Sequence, residues 1–335
     1  MRAACVTLVV AVSLAGQTTP PDPTTQKIVA EISPDRIGAT VKTLVGFETR
    51  GNYSDPTQKT RGIGAARHWI SAQFQSYSPR LMVSDDAGKL QTTDIVNVVA
   101  ILPGVTQPEK RIIVAAHYDS INAGGSGGRG AESAAPGADD DASGVAVVLE
   151  LARVMSQYRF RKTIVFIAFA GEEIGLVGST RYAARAKGNR EQIEAVFNND
   201  VVGANIVGQV HDDILGLDDT VDGDGDTGNL LRIYSPDPPD SPSRRLAQTI
   251  QAAARRYVPR LRIDLVFRAD RFGRGGDHIP FQKSGFAAVR LSSASENTAA
   301  QHTARDTQDA VSATFTADVA RVNGAAIASL SVPVP

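Results

Sequence analysis

Three consecutive aspartates, Asp139, Asp140 and Asp141, lie in the small-residue turn ADDDASG (Ala138 to Gly144), which opens into the apolar run Val145 to Leu151. Adjacent carboxylates repel one another, and burial penalises each charge, so an acidic run that enters a buried helix needs a positive partner. We read that partner as a metal. The other residues with suitable chemistry are His117 and Asp119 in HYDS, Glu172 and Glu173 in AGEE, Asp200 in NND and His302 in QHTARDT. The first three of these motifs each follow an apolar run of strand length: RIIVAA, TIVFIAFA and AVFNN. One charged residue at a strand end means little, whereas three in succession form a site pattern. Asp119 lies two residues after His117, on the same strand side, where it could accept the second ring N–H of a metal-bound imidazole. Glu172 and Glu173 are consecutive, so in extended chain they point to opposite sides, and one can bind metal while the other acts on water. The plainer reading of that pair is a solvated acidic helix start favoured by the helix dipole. His302 alone would be a loop histidine, with Asp306 and Thr307 able to cap the helix that follows.

These residues need a scaffold, and the apolar periodicities supply one. Strand-like runs cover Asp94 to Leu102, Arg111 to Ala116 and Thr163 to Ala170, followed by shorter ones at Ala195 to Asn199, Leu230 to Tyr234, Arg262 to Phe267 and Ala287 to Leu291. Helical spacing covers Lys27 to Leu44, Gly62 to Tyr77, Ser143 to Tyr158, Gly175 to Lys187, Ser241 to Tyr257 and Thr307 towards Leu330. Alternating strands and helices predict an α/β fold: a single-domain, three-layer α/β/α sandwich with a mixed, mostly parallel central sheet. Strands that are apolar throughout are covered on both faces. Ligands of such sheets bind beyond the carboxyl ends of the strands, where HYDS, AGEE and NND fall.

Composition narrows the chemistry. A chain of 335 residues with 42% hydrophobic and 21% charged content is ordinary globular material. The net charge of -1 gives no electrostatic footprint for nucleic acid. Arg2, the apolar run Ala3 to Leu14 and the small residues Ser13 and Ala15 predict a signal peptide over residues 1–15, too short to span a membrane. A secreted or periplasmic location follows as an expectation, with no membrane span in the mature chain. A Pro/Thr/Gln-rich stretch over residues 16–26 reads as a disordered tether before a domain at 27–335. The only cysteine, Cys5, falls in the leader, so any metal must be held by His, Asp and Glu.

Taken together, HYDS, PGADDDASG, FAGEEIGLVGS, NNDVVGAN, GGDHIPF and QHTARDT resemble, in order and approximate spacing, the secreted two-zinc aminopeptidase family, which also contains glutamate carboxypeptidases and glutaminyl cyclases. The resemblance runs from His117 to Thr307. It implies two zinc ions, His117 and Asp200 on opposite metals, Asp140 bridging both, Glu173 and His302 as further ligands, and Glu172 as general base on a shared water. It also implies a cis peptide between Asp140 and Asp141, and it leaves Asp139 and Asp141 as shaping or solvated residues. The implied partners are peptide substrates with a free N-terminus. Asp277 and His278 in GGDHIPF read as supporting or substrate-side residues. The chain departs from many relatives in lacking a tyrosine just before the last histidine, where Asn297, Thr298 and Gln301 stand. GGSGG around Ser126 lacks the strand-to-helix context of a nucleophile elbow and reads as a flap, and DGDGDTG (Asp222 to Gly228) reads as an acidic turn rather than a calcium loop. Glutaminyl-peptide cyclase, carboxypeptidase and non-catalytic binding protein are the alternatives on the same scaffold.

Overall fold

The computed structural model describes residues 20–123, 133–204, 228–236, 238–271 and 273–334. Its elements in chain order are α1 (Pro23–Ala30), α2 (Pro34–Val45), α3 (Gly62–Tyr77), β1 (Met82–Leu90), β2 (Thr93–Leu102), β3 (Gln107–His117) and α4 (Ser143–Met155). Then follow β4 (Arg159–Phe160), β5 (Lys162–Phe169), α5 (Val177–Gly188), β6 (Gln192–Asn199), β7 (Leu230–Tyr234) and α6 (Pro242–Tyr257). The last are β8 (Arg262–Val266), α7 (His278–Ser284), β9 (Ala288–Ser293), α8 (Ala313–Leu330) and β10 (Pro333–Val334). The main sheet has eight strands in the order β1-β2-β5-β3-β6-β9-β7-β8. Its centre, β5-β3-β6-β9, is parallel throughout, and antiparallel pairs flank it at β1-β2, β2-β5 and β9-β7. This is the mixed α/β sheet that the sequence predicts.

The two faces are covered by different helices. Along β3, Ile112, Val114 and Ala116 face the larger core, which α4, α6 and α8 help to cover, while Ile113 and Ala115 face a smaller core with Tyr182 of α5 and Phe281 of α7. On β5, Ile164, Phe166 and Ala168 alternate with Val165, Ile167 and Phe169 in the same way. Every side chain named here is essentially buried, which explains why these strands show continuous rather than alternating hydrophobicity.

The boundaries differ from expectation where local chemistry overrides periodicity. The stretch Lys27 to Leu44 is two helices, because Pro34 starts a new one with Ser33 as its N-cap. The first helix begins at Pro23, inside the stretch read as tether. Asp22 caps it by accepting from the Thr25 N–H at 2.7 Å, and Ile28 is fully buried. The closing helix starts at Ala313 with Ser312 as cap, so Asp306 and Thr307 do not cap it. Strand β1 is a largely polar edge strand (MVSDDAGKL) whose side chains stay at least partly exposed, and it carries no apolar signal. Residues 1–15, Ser126 and Asp222 to Thr227 lie outside the described residues.

A buried amide pair ties α8 to the sheet beneath the site. Asn199 and Asn323 are both fully buried and exchange hydrogen bonds, Asn323 Nδ2 to Asn199 Oδ1 at 3.0 Å and Asn199 Nδ2 to Asn323 Oδ1 at 3.3 Å. Asn323→Leu leaves the buried Asn199 Oδ1 without its donor, next to Asp200, and should cost about 1–3 kcal/mol. A thermal midpoint lowered by several degrees checks this; an unchanged midpoint counts against the pair as a structural tie.

Candidate metal centre

The four parallel strands at the centre of the sheet end at one edge, and the acidic and imidazole side chains gather there. His117 is the last residue of β3, Glu172 and Glu173 follow β5 by three and four residues, and Asp200 follows β6 directly. His302 arrives from the loop after β9. The acid turn sits at the same edge as the entry to α4. One set of donor atoms, from His117, Glu172 and Asp200, lies within 4.8 Å of one another, and so does a second set from Asp140, Glu173 and His302. Asp140 stands between the sets. Its Oδ1 is 3.1 Å from His117 Nε2, and its Oδ2 is 3.1 Å from His302 Nε2. His302 Nε2 is also 3.2 Å from Glu173 Oε2, and His117 Nε2 is 3.9 Å from Asp200 Oδ1.

His117 and Asp200 therefore fall in one donor set, not on opposite sides as expected. The reason is topological: β3 and β6 are neighbouring parallel strands, so the residues at their carboxyl ends stand side by side. Asp119 also differs from expectation in part. His117 Nδ1 lies 3.0 Å from the Asp119 backbone carbonyl and 3.6 Å from its carboxylate. That carboxylate instead accepts from the N–H groups of Glu172 (3.3 Å) and Glu173 (3.1 Å) and from Asn52 Nδ2 at 2.7 Å. Asp119 thus fixes the glutamate loop as well as the histidine strand.

The three aspartates of the turn have separate work. The Asp140–Asp141 peptide bond is cis. Asp139 Oδ1 accepts from Gly203 N at 2.8 Å and Ala204 N at 3.2 Å. Asp141 Oδ1 accepts from Gly144 N at 3.0 Å and Val201 N at 3.2 Å, and its Oδ2 accepts from His117 N at 3.2 Å. Neither is solvated, since Asp139 is 2% exposed and Asp141 fully buried. Asp141 joins the acid turn, the end of β3 and the residue after Asp200. Val201 and His302 both adopt left-handed backbone (φ 59° and 56°), which is costly for a β-branched residue and persists only where surrounding bonds hold it. Gly144 is required as glycine, because a Cβ there would come within 2.2 Å of Asn199 O.

The charge balance demands a cation. Burial pushes the Glu172 and Glu173 carboxyls well above their usual range, and neighbouring acids add to the shift. Burial also works against a charged His117, yet Glu172, Asp119 and Asp140 outweigh it and raise its pKa well above normal. Asp140 is lowered despite its burial, because both histidines donate to it. Glu173 Oε1 is buried with no hydrogen-bond partner. A donor set of imidazoles and carboxylates without thiolate fits zinc.

Several further groups support the site in roles that the sequence did not assign to them. Arg290, fully buried in β9, donates to Asp200 Oδ1 at 2.8 Å and packs its other nitrogen against Asp270. A charged residue inside the apolar run Ala287 to Leu291 was the available clue. Arg50, also fully buried, donates to the backbone carbonyls of Tyr118 (2.7 Å) and Gly137 (2.8 Å), joining the end of β3 to the acid turn. Asp306 accepts from the N–H groups of Asp139 (2.9 Å) and Asp140 (3.0 Å). Asp277 and His278 lie next to the centre but in neither donor set. Burial pushes the Asp277 carboxyl up to about 7 against the opposing pull of His117, and neither of its oxygens has a hydrogen-bond partner among the described residues. The His278 ring is held by the Ala269 carbonyl, 2.7 Å from Nε2. Gly276 sits beside both, where a Cβ would approach Asp200 Oδ2 to 2.9 Å. Gln301, directly before His302, is engaged by Arg274 and Glu296.

The profile of Peptidase family M28 matches residues 97–327. A probable zinc metalloprotease of Pyrenophora tritici-repentis is 36% identical over 299 residues, covering 84% of this chain and 68% of its own length. The structure of the Legionella pneumophila LapA aminopeptidase superposes with a TM-score of 0.71 at 20% identity, covering 100% of this chain and 81% of that one. A glutaminyl cyclase of Porphyromonas gingivalis superposes with a TM-score of 0.63 at 19% identity, covering 89% of this chain and 99% of that one. At these identities the two structures show the shared fold.

Asp140→Ala removes the carboxylate that stands between the two donor sets, facing a histidine of each, and should abolish tight binding at both. Asp139→Asn keeps one acceptor for the Gly203 and Ala204 amides and should retain most of the metal. Elemental analysis of the purified variants separates them, and equal metal contents would place the shared carboxylate elsewhere in the turn.

Proposed function

The chain belongs to peptidase family M28 and is a zinc metallopeptidase, and from that premise we propose that it removes N-terminal residues from peptides, with Glu172 as general base. The observation that carries this reading is Asp140, whose two oxygens each face a different histidine at 3.1 Å, as a carboxylate shared by two ions requires. We assign His117 and Asp200 to one ion and Glu173 and His302 to the other. Two zinc ions bound there would supply Lewis acidity, lowering the pKa of water towards about 7 and polarising a scissile carbonyl.

The residues of the chain account for the remaining steps. Glu172 faces the His117–Asp200 side, and its backbone N–H donates to Asp119, which fixes the main chain from which its carboxylate reaches the site. It takes the proton of the attacking water and delivers it to the leaving amine. Burial raises its pKa well above the usual carboxylate range, the direction that strengthens the carboxylate as a proton acceptor. Arg290 orients Asp200 by donating to its Oδ1. The excess of carboxylates over cations at the centre favours a substrate that brings positive charge, and a free α-ammonium does so. The solved LapA structure, described as an aminopeptidase, supports this choice among the activities the fold carries. The leader-like composition of residues 1–15 supports export to the periplasm or medium.

The test is a substrate panel: leucine p-nitroanilide, its N-acetylated form, a C-terminal carboxypeptidase substrate and a peptide with N-terminal glutamine. Hydrolysis confined to substrates with a free amino group is expected, and chelation should abolish it. Glu172→Gln should lower kcat by at least about 100-fold while leaving the bound zinc in place. Preference for the blocked substrate, cleavage from the C-terminus, or cyclisation of the glutamine peptide in place of hydrolysis would contradict the reading.

A further inference from the structure

Beside the metal centre a narrow cleft of about 10 Å³ runs along Glu173, with Asn52, Tyr53, Ser120 and Asn122 in its walls. Asn52 and Tyr53 also form part of the wall of a second cavity, of about 190 Å³. The two cavities thus adjoin through one loop, between α2 and α3, which Arg50 pins to the end of β3. The second cavity is lined further by Arg67, Thr92, Thr93, Asp94 and Tyr118.

Arg67 is the unusual member. It lies on α3, is partly buried, and among the described residues makes no hydrogen bond and no ion pair; its Nε is buried without a partner. The acid on the same cavity wall, Asp94, is instead bonded to Lys89 at 3.2 Å. The Tyr118 hydroxyl is committed to the Val96 carbonyl. A buried guanidinium N–H with no acceptor carries an unrecovered desolvation cost that an anion would relieve, and the planar fork of the group matches a carboxylate. Along the way, Asn52 offers a second unused group. Its Nδ2 is spent on Asp119, but its Oδ1 is buried with no donor, as an acceptor for a passing peptide N–H would be.

The geometry points to the Arg67 cavity as a subsite for a carboxylate on the leaving part of the peptide, reached from the metal centre across Asn52 and Tyr53. This assignment rests on the aminopeptidase reading above. Arg67 is then a specificity-determining residue: the amino end of the substrate sits at the carboxylate-rich centre, and its anionic end or side chain sits on the guanidinium. The carboxylate has two sources, the C-terminus of a short peptide or an acidic side chain in a longer one.

Two substrate pairs distinguish the sources: Leu-Gly-Gly against its C-terminal amide, and Leu-Glu-amide against Leu-Gln-amide. The wild-type kcat/KM should favour the charged member of at least one pair by about tenfold, the scale of one charge-assisted hydrogen bond. That ratio should fall to about one in Arg67→Gln and return in Arg67→Lys. The same peptides titrated calorimetrically into Glu172→Gln protein, with and without Arg67→Gln, give the binding counterpart without turnover. Ratios near one for both pairs in the wild type, or a ratio that persists in Arg67→Gln, overturn the assignment. Wild-type turnover of leucine p-nitroanilide, which has no carboxylate, reports on the aminopeptidase reading separately. If that turnover is absent, the calorimetric ratios still decide the role of Arg67.

Discussion

The constraint on which the rest of the structure depends is the burial of negative charge. Asp119, Asp139, Asp140, Asp141 and Asp200 are each 5% exposed or less, and they share one edge of the sheet with Glu172 and Glu173. Carboxylates in that environment must be hydrogen-bonded, paired or neutralised. The fold meets part of the demand with backbone N–H groups: Gly203 and Ala204 on Asp139, Gly144 and Val201 on Asp141, Glu172 and Glu173 on Asp119. Arg290 meets another part at Asp200. What remains is Asp140, Glu173 and one side of Asp200, and these face the two histidines. The unmet charge is concentrated where a pair of divalent ions would lie.

This division of labour explains why the turn carries three aspartates rather than one. Asp139 and Asp141 build the walls that let Asp140 face both histidines. Asp141 in particular bonds to the ends of β3 and β6 and to the first turn of α4, so three elements meet on one carboxylate. The tight fit at Gly144 and the left-handed backbone at Val201 and His302 occur at these same junctions. Strain of that kind persists only where the surroundings over-determine the conformation, and it accompanies pre-organised sites.

Much of this was legible in the sequence, and the reasons for the remainder are physical. The central strands announce themselves because both faces are buried, which makes RIIVAA and TIVFIAFA continuous apolar runs. Motifs at the ends of such runs can therefore be placed at one sheet edge without coordinates. Strand β1 is invisible by the same rule, since an edge strand with exposed Ser84, Asp85 and Lys89 buries too little to show a pattern. The pairing of His117 with Asp200 depends on which strands are neighbours, and strand order β5-β3-β6-β9 is not written in the periodicity. Arg50 was missed, and Asp306 was read as a helix cap, because their work is done on backbone atoms distant in sequence, 86 residues away for Arg50 and Pro136. Arg290 was different, as a charge inside an apolar strand signals a buried partner even when that partner cannot be named.

The most direct test of the account is an anomalous difference map recorded at the zinc edge on crystals of the full chain. Two peaks about 3.5–4 Å apart are expected, as in two-metal sites generally, with Asp140 between them, His117 and Asp200 on one and Glu173 and His302 on the other. A single peak, or two peaks that do not share Asp140, would contradict it.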